Sequence, residues 1–102
     1  MNQIYKILTP EEWQKFKKEG VYYGSSLDLK DGFIHCALED QHPKIREKFL
    51  KDQSPVILLE IDPEKLPEGA LKIEANKPGG TEYPHLYGSL PLDAVISWKA
   101  IP

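Results

Sequence analysis

The segment 55–61, PVILLEI, constrains the fold of this chain more than any other. Five of its seven residues are aliphatic. A strand this apolar is covered on both faces, which places it in the centre of a sheet. The other predicted strands are more polar or more irregular, so we expect the sheet to be organised around this segment.

The remaining pattern predicts a single domain over residues 1–102, because 102 residues suit one core and not two. Alternation and apolar content predict further strands at 3–8, 33–38, 70–75, 85–90 and 94–101, and helices at 10–19 and 39–52. Strands outnumber the two helices and are not regularly interleaved with them. We therefore expect an α+β fold in which two helices pack on a largely antiparallel sheet, either intact or split.

The first helix has clear signals at both ends. Thr9 fits an N-cap, Pro10 fits the first helical position and Glu12 completes a capping box. Gly20 fits the stop. The segment 21–32, VYYGSSLDLKDG, is rich in turn residues and is predicted to be an irregular loop that can include one helical turn.

Charge and composition exclude several classes of function. The net charge is −3, from 13 basic and 16 acidic residues, and these alternate without forming the basic stripe that non-specific nucleic-acid binding requires. No apolar run approaches the roughly 20 residues that span a bilayer, and the N-terminus lacks the features of a signal peptide. Cys36 is the single cysteine, so no internal disulfide forms. We expect a cytoplasmic protein that does not bind membranes.

Two dense patches carry candidate chemistry, and the first is DGFIHCA at 31–37. Neighbouring side chains of a strand point to opposite faces, which separates Phe33, His35 and Ala37 from Cys36. Cys36 is therefore predicted to be a small core hydrophobe, with no neighbour that would activate it as a nucleophile.

The second patch is EYPHLYG at 82–88. Alternation places His85 and Tyr87 on one face, and Pro84 is expected to start the strand or to lie at a sheet edge. If this strand lies beside the strand of His35, two histidines and a tyrosine converge. The convergence fits a pocket, and it fits equally a hydrogen-bond network that only stiffens the core.

The sequence bears on two other kinds of site. The segment YYGSSLD at 22–28 offers amides and hydroxyls for a phosphate or carboxylate, and equally fits a turn in which Asp28 caps local amides; it is not a P-loop. The three histidines lack metal-ligand spacing, so we predict no metal site.

The residues resemble a known bacterial family. The run G-S-x-x-D-x-x-D-G-F-I-H and the later P-H-L-Y-G are similar to the family of domain of unknown function 952, over essentially the whole chain. The family pattern falls on a set of positions here: Gly24, Ser25, Asp28, Asp31, Gly32, Phe33, His35, Gln41, Glu74, Pro84, His85, Tyr87 and Gly88. Members often have serine where this chain has Ala37, which puts any ligand contact through that hydroxyl in doubt.

A more distant resemblance is to the ADP-ribosyltransferase and RNA 2′-phosphotransferase superfamily, which binds NAD between two small sheets. It implies an ADP-ribosyltransferase-like fold with NAD as ligand. By that likeness His35 would hold a ribose hydroxyl, Tyr87 would stack on nicotinamide, and Glu74 or Glu82 would steady positive charge on the ribose. The only arginine is Arg46, which argues against an arginine clamp on phosphate.

Three hypotheses follow. The first is an enzyme acting on a small nucleotide-type ligand. Its candidate catalytic residues are His35, His85, Tyr87 and Glu74. Its candidate ligand-binding residues are Tyr23, Gly24, Ser25, Asp28, Phe33 and Glu82. The second is a non-catalytic domain that binds a small molecule or a peptide end at the same place. The third is a structural network with no ligand.

Overall fold

The computed structural model describes residues 3–75 and 77–102, with the side chain of Phe49 outside the description. These described residues form three α-helices, eight strands and two 3₁₀ turns, the last being Pro63–Lys65 and Leu92–Ala94. The order is β1 (Ile4–Leu8), α1 (Pro10–Glu19), β2 (Val21–Tyr22), α2 (Ser26–Asp31), β3 (Ile34–His35), α3 (His42–Phe49), β4 (Val56–Ile61), β5 (Leu71–Ala75), β6 (Glu82–Leu86), β7 (Leu90–Pro91) and β8 (Val95–Ile101).

The strands form three antiparallel sheets. Their strand orders are β1-β4-β8, β3-β6-β5 and β2-β7. The apolar strand β4 lies in the centre of the first sheet, as its composition predicts. The α+β class and the split, antiparallel arrangement are confirmed.

Helices cover both faces of the first sheet. On one face, Ile4, Leu8 and Leu59 join Trp13 and Phe16 of α1 in the core. On the other face, α3 contacts β1, and Leu58 of β4 is buried there. This two-sided cover is why β4 carries almost no polar residues.

Helix α1 has the predicted ends. Thr9 Oγ1 accepts from the Glu12 amide at 3.1 Å, and Glu12 Oε1 accepts from the Thr9 amide at 2.9 Å. Gly20 ends the helix in the left-handed conformation with φ of 79°. A capping box of this kind stabilises a helix by about 1 kcal/mol.

The prediction of only two helices was wrong, because α2 forms within the segment expected to be a loop. Ser25 and Asp28 form a reciprocal capping box at its start, and Gly32 ends it with φ of 87°. Leu27 and Leu29 are exposed, so the helix has no apolar stripe that periodicity could detect. The caps at its two ends stabilise this helix, and a buried apolar face does not.

The placement of Pro84 at a strand start or sheet edge was also wrong. Pro84 lies inside β6, the central strand of its sheet. Its carbonyl accepts from the Cys36 amide at 3.0 Å. In a strand the nitrogen of the same residue points in the same direction, here towards the residues that follow β3. Proline has no amide hydrogen to donate at residue 84, and the strand β3 opposite it ends at His35.

Several predicted boundaries shift as well. The strand expected at 33–38 is reduced to β3, and the helix expected from residue 39 begins at His42. The strand expected at 85–90 is divided between β6 and β7. Beyond β3, Ala37 exchanges two backbone hydrogen bonds with Tyr5 at 2.8 Å each, and this bridge ties the sheet of β3 to the sheet of β1.

We predict that Gly24→Ala destabilises the protein more than Gly69→Ala does. Both glycines have positive φ, but a Cβ at Gly24 would lie 2.7 Å from Asp28 Cβ, whereas a Cβ at Gly69 meets nothing within 4 Å. The expected difference in unfolding free energy is about 1–3 kcal/mol. Urea unfolding of the two variants measures this difference. Equal losses of unfolding free energy would contradict the expected clash between a side chain at residue 24 and Asp28.

Candidate functional site

The centre of the candidate site is the buried carboxylate of Asp28. Oδ2 accepts from the Ser25 amide at 2.9 Å, and Oδ1 accepts from the His35 amide at 3.1 Å. Oδ1 also lies 2.6 Å from His35 Nδ1. A buried carboxylate with this many donors is well satisfied, so α2 and β3 are fixed to one another through it.

Lys6 supplies the charge that balances Asp28. Its ammonium lies 3.1 Å from Asp28 Oδ2 and donates to the His35 carbonyl at 2.8 Å. Both side chains are almost completely buried. Sequence reasoning did not find Lys6, because nothing local in a strand shows that a lysine meets a carboxylate 22 residues away.

The balance of effects on Asp28 favours its charged form. Burial acts to raise the pKa of the Asp28 carboxyl, but Lys6 and the hydrogen bonds from His35 and Ser25 outweigh burial and lower it below its usual range. The carboxylate is therefore ionised at neutral pH.

The two dense patches meet, as predicted. His35 of β3 is paired directly with His85 of β6, and their ring centroids lie 5.9 Å apart. The ring of Phe33 stacks on His85 at 4.0 Å and also contacts His35 and Tyr87. We call these four side chains with Glu74 the histidine cluster.

Glu74 joins the other half of the histidine cluster. Its Oε1 lies 3.0 Å from His85 Nδ1 and accepts a short hydrogen bond from the Tyr87 hydroxyl. The Tyr87 hydroxyl, and then His85, lower the pKa of Glu74, and the same contact raises the pKa of Tyr87. Glu74 is thus an anion and Tyr87 a neutral phenol at neutral pH.

The two histidines differ in what their rings can still bind. Both ring nitrogens of His35 face carboxylates, since Nε2 lies 3.0 Å from Asp31 Oδ2. His85 is buried, and within the described part of the chain its Nε2 has no hydrogen-bond partner. Because ionised Glu74 accepts from Nδ1, a neutral His85 ring carries a lone pair on Nε2.

Other predicted site residues have different surroundings. The amides of Ser25 and Asp28 are taken up by the capping box, as the turn alternative predicted, and Gly24 lies against Asp28. Tyr23 is exposed. Of the two candidate carboxylates the structure brings Glu74 to the histidines, while Glu82 accepts from Gln41 Nε2 through its backbone carbonyl.

Three further observations concern Cys36, metal-ligating groups and membrane spans. Cys36 is buried in the core, as predicted, where burial raises the pKa of its thiol to about 12, so the thiol is protonated at neutral pH. In residues 3–75 and 77–102 no group of three His, Cys, Asp or Glu side chains is arranged to hold a metal ion. No helix among the same residues is long and apolar enough to cross a bilayer.

Comparison with protein families gives a match to the family described as "Protein of unknown function (DUF952)" over residues 7–98. The chain belongs to the DUF952 family. That membership confirms the resemblance drawn from the two motifs, both of which lie inside the matched region. No curated protein matches this DUF952 chain.

Solved structures of protein CC0527 from Caulobacter crescentus have the same fold as this DUF952 protein. The crystal structure is 37% identical, with a TM-score of 0.90 and coverage of 99% of this chain and 87% of that one. The solution structure is 39% identical, with a TM-score of 0.82 and coverage of 97% and 84%. These comparisons state no activity, and they give the ADP-ribosyltransferase likeness no support.

We predict that Asp28→Asn costs stability at neutral pH and much less in acid. The pKa of Asp28 is lower in the folded chain than its unfolded value of about 3.9. Its stabilisation is therefore present above that pH and is lost as the pH falls through the folded pKa. Breaking a buried pair costs about 3–5 kcal/mol, and urea unfolding at pH 7 and pH 3 measures the loss.

The matched control is Asp93→Asn, which removes an exposed carboxylate. It should change the unfolding free energy by less than about 0.5 kcal/mol at either pH. A gap between wild type and Asp28→Asn that stays constant from pH 7 to pH 3 would contradict the assignment of a charged, paired Asp28.

Proposed function

We propose that the histidine cluster binds a small nucleotide-type ligand, NAD or an ADP-ribosyl compound, and supports transfer of the ADP-ribosyl group or a related reaction. The observation that carries the proposal is the lone, buried Nε2 of His85, held by an ionised Glu74. An unpaired polar atom in a buried position costs free energy. A ligand that donates a hydrogen bond to it removes that cost.

The proposed reaction needs a fixed negative charge, which the Glu74 carboxylate provides. When the bond between C1′ of the ribose and the nicotinamide nitrogen breaks, the electron pair leaves with nicotinamide and positive charge grows on the ribose. A fixed carboxylate stabilises that charge more than it stabilises the neutral sugar, and this difference lowers the barrier. The acceptor oxygen or nitrogen then bonds to C1′, and its proton can pass to His85 Nε2.

The rings of the histidine cluster suit a flat ligand. Tyr87 is 39% exposed, and Phe33 is partly exposed beside it. Aromatic faces of this kind stack on heterocycles such as nicotinamide or adenine. Lys72, whose ammonium lies 5.1 Å from the Tyr87 ring centroid, adds a cation near that face for a phosphate.

His35 can take part only by giving up a contact. Its Nδ1 is held by buried Asp28, whereas its Nε2 meets Asp31, whose side chain is 36% exposed. Exposed ion pairs contribute about 0–1 kcal/mol, so a ribose hydroxyl can replace Asp31 at small cost. We assign His35 the role of holding ligand and His85 that of exchanging a proton.

A non-catalytic binding domain is the second candidate function. The observation that favours it is the position of His35 between two carboxylates, which fixes the ring as an oriented hydrogen-bonding group. Binding without turnover would use the same rings and the same Nε2. The two candidates differ only in whether Glu74 changes a rate.

We predict that NAD or ADP-ribose raises the melting temperature, because a ligand that binds only the folded state stabilises it by mass action. Purified protein is screened with NAD, ADP-ribose and NADP, and nicotinamide release from NAD is followed chromatographically. In Glu74→Gln we expect release to fall on the order of 100-fold, while the thermal shift persists.

The matched control is Glu82→Gln, the same change at the exposed carboxylate outside the histidine cluster. It should leave both the shift and the release unchanged. A thermal shift without release selects the non-catalytic candidate. No shift with any nucleotide contradicts the nucleotide proposal, and a large loss of stability in Glu74→Gln alone would point to the structural network.

A further inference from the structure

A groove lies on the opposite face of β1 from Asp28. Lys6 points to the buried side, where it meets Asp28, so its neighbour Tyr5 points the other way. There Tyr5 and His42, at the start of α3, pack with ring centroids 4.9 Å apart. Both rings line a groove of about 220 Å³ between α3 and the first sheet.

The groove combines an apolar floor with rings and charges of both signs. Leu58 of β4 forms the floor, whereas the indole of Trp98 packs against Trp13 on the other face of the sheet. Glu39 and Glu60 contribute carboxylates and Lys99 an ammonium. Sites for drug-sized ligands measure roughly 300–1,000 Å³, so this groove suits a smaller molecule.

The opposite charges in the groove do not neutralise one another. Among the described residues, no ion pair within 4.0 Å joins Lys99 to Glu39 or Glu60. Glu60 is instead oriented by the Ser97 hydroxyl, which donates to its Oε1 at 3.0 Å. The carboxylates of Glu39 and Glu60 and the ammonium of Lys99 therefore line the same groove without a direct ion pair among the described residues.

The rings respond to these charges. Burial raises the pKa of Tyr5, and Glu39 and Glu60 add to the rise. Burial lowers the pKa of His42, and Lys99 adds to that fall. At neutral pH both rings are uncharged, so the fixed charges of the groove are the two carboxylates and Lys99.

We propose that this groove is a separate binding site for a small zwitterion of the α-amino-acid class. Its ammonium would lie at Glu39 and Glu60, its carboxylate at Lys99, and its side chain against the rings of Tyr5 and His42. A simple amine would be repelled by Lys99 and a simple carboxylate by the two glutamates. Only a molecule with both charges can pair with the two glutamates and with Lys99 at the same time.

The test is an NMR titration of ¹⁵N-labelled full chain with three probes that share one side chain: L-phenylalanine, phenethylamine and 3-phenylpropanoate. We expect L-phenylalanine to shift the amides of Leu58 and Lys99, which lie on the groove face of the sheet. We expect it to bind at least about tenfold more tightly than either probe with a single charge.

Variants separate the two charged walls. In Lys99→Gln, L-phenylalanine should bind no better than phenethylamine, and in Glu60→Gln no better than 3-phenylpropanoate. Lys15→Gln, an exposed change on α1, is the control and should keep the preference. The proposal is overturned if groove signals do not move, if phenethylamine binds as well as L-phenylalanine, or if Lys99→Gln keeps the preference.

Discussion

The buried Asp28 carboxylate is the interaction on which the rest of this structure depends. Alone, a carboxylate in that position would be too costly to bury. Lys6 of β1, the amide of Ser25 before α2 and the backbone and ring of His35 in β3 all donate to it. One charge therefore fixes three elements, including a helix that buries almost no apolar surface. Gly24 is needed because the backbone passes so close to this group.

That anchor also sets up the candidate site. Once His35 is fixed, its pairing with His85 places the second histidine under Phe33 and beside Glu74. The two carboxylate–histidine pairs then differ in kind. His35 has a carboxylate at each ring nitrogen, whereas His85 has a carboxylate at Nδ1 and, among the described residues, no partner at its buried Nε2. The same network thus fixes the ring of His35 and leaves the Nε2 of His85 without a hydrogen-bond partner among the described residues.

Local signals account for what the sequence predicted correctly. The caps of α1, the apolar run of β4 and the alternation that brings His35 and His85 to one face each depend on residues close together in the chain. Helix α2 was missed because Leu27 and Leu29 are exposed and only its caps identify it. Glu74 and Glu82 could not be separated, and Lys6 could not be found, because their roles depend on strand register and long-range contacts.

Membership of the DUF952 family and the near-complete structural match to the Caulobacter protein establish the fold but assign no chemistry. The proposed chemistry therefore depends on the protonation pattern of one ring. Glu74 accepts from Nδ1 of His85, so Nε2 should be the bare nitrogen that meets a ligand.

The most direct measurement is a long-range ¹⁵N–¹H NMR spectrum of the His85 ring at neutral pH. The account predicts a proton on Nδ1 and none on Nε2, with the Nε2 signal moving when NAD or ADP-ribose is added. A proton on Nε2 of the free protein would contradict it, because that nitrogen could then no longer accept from a ligand.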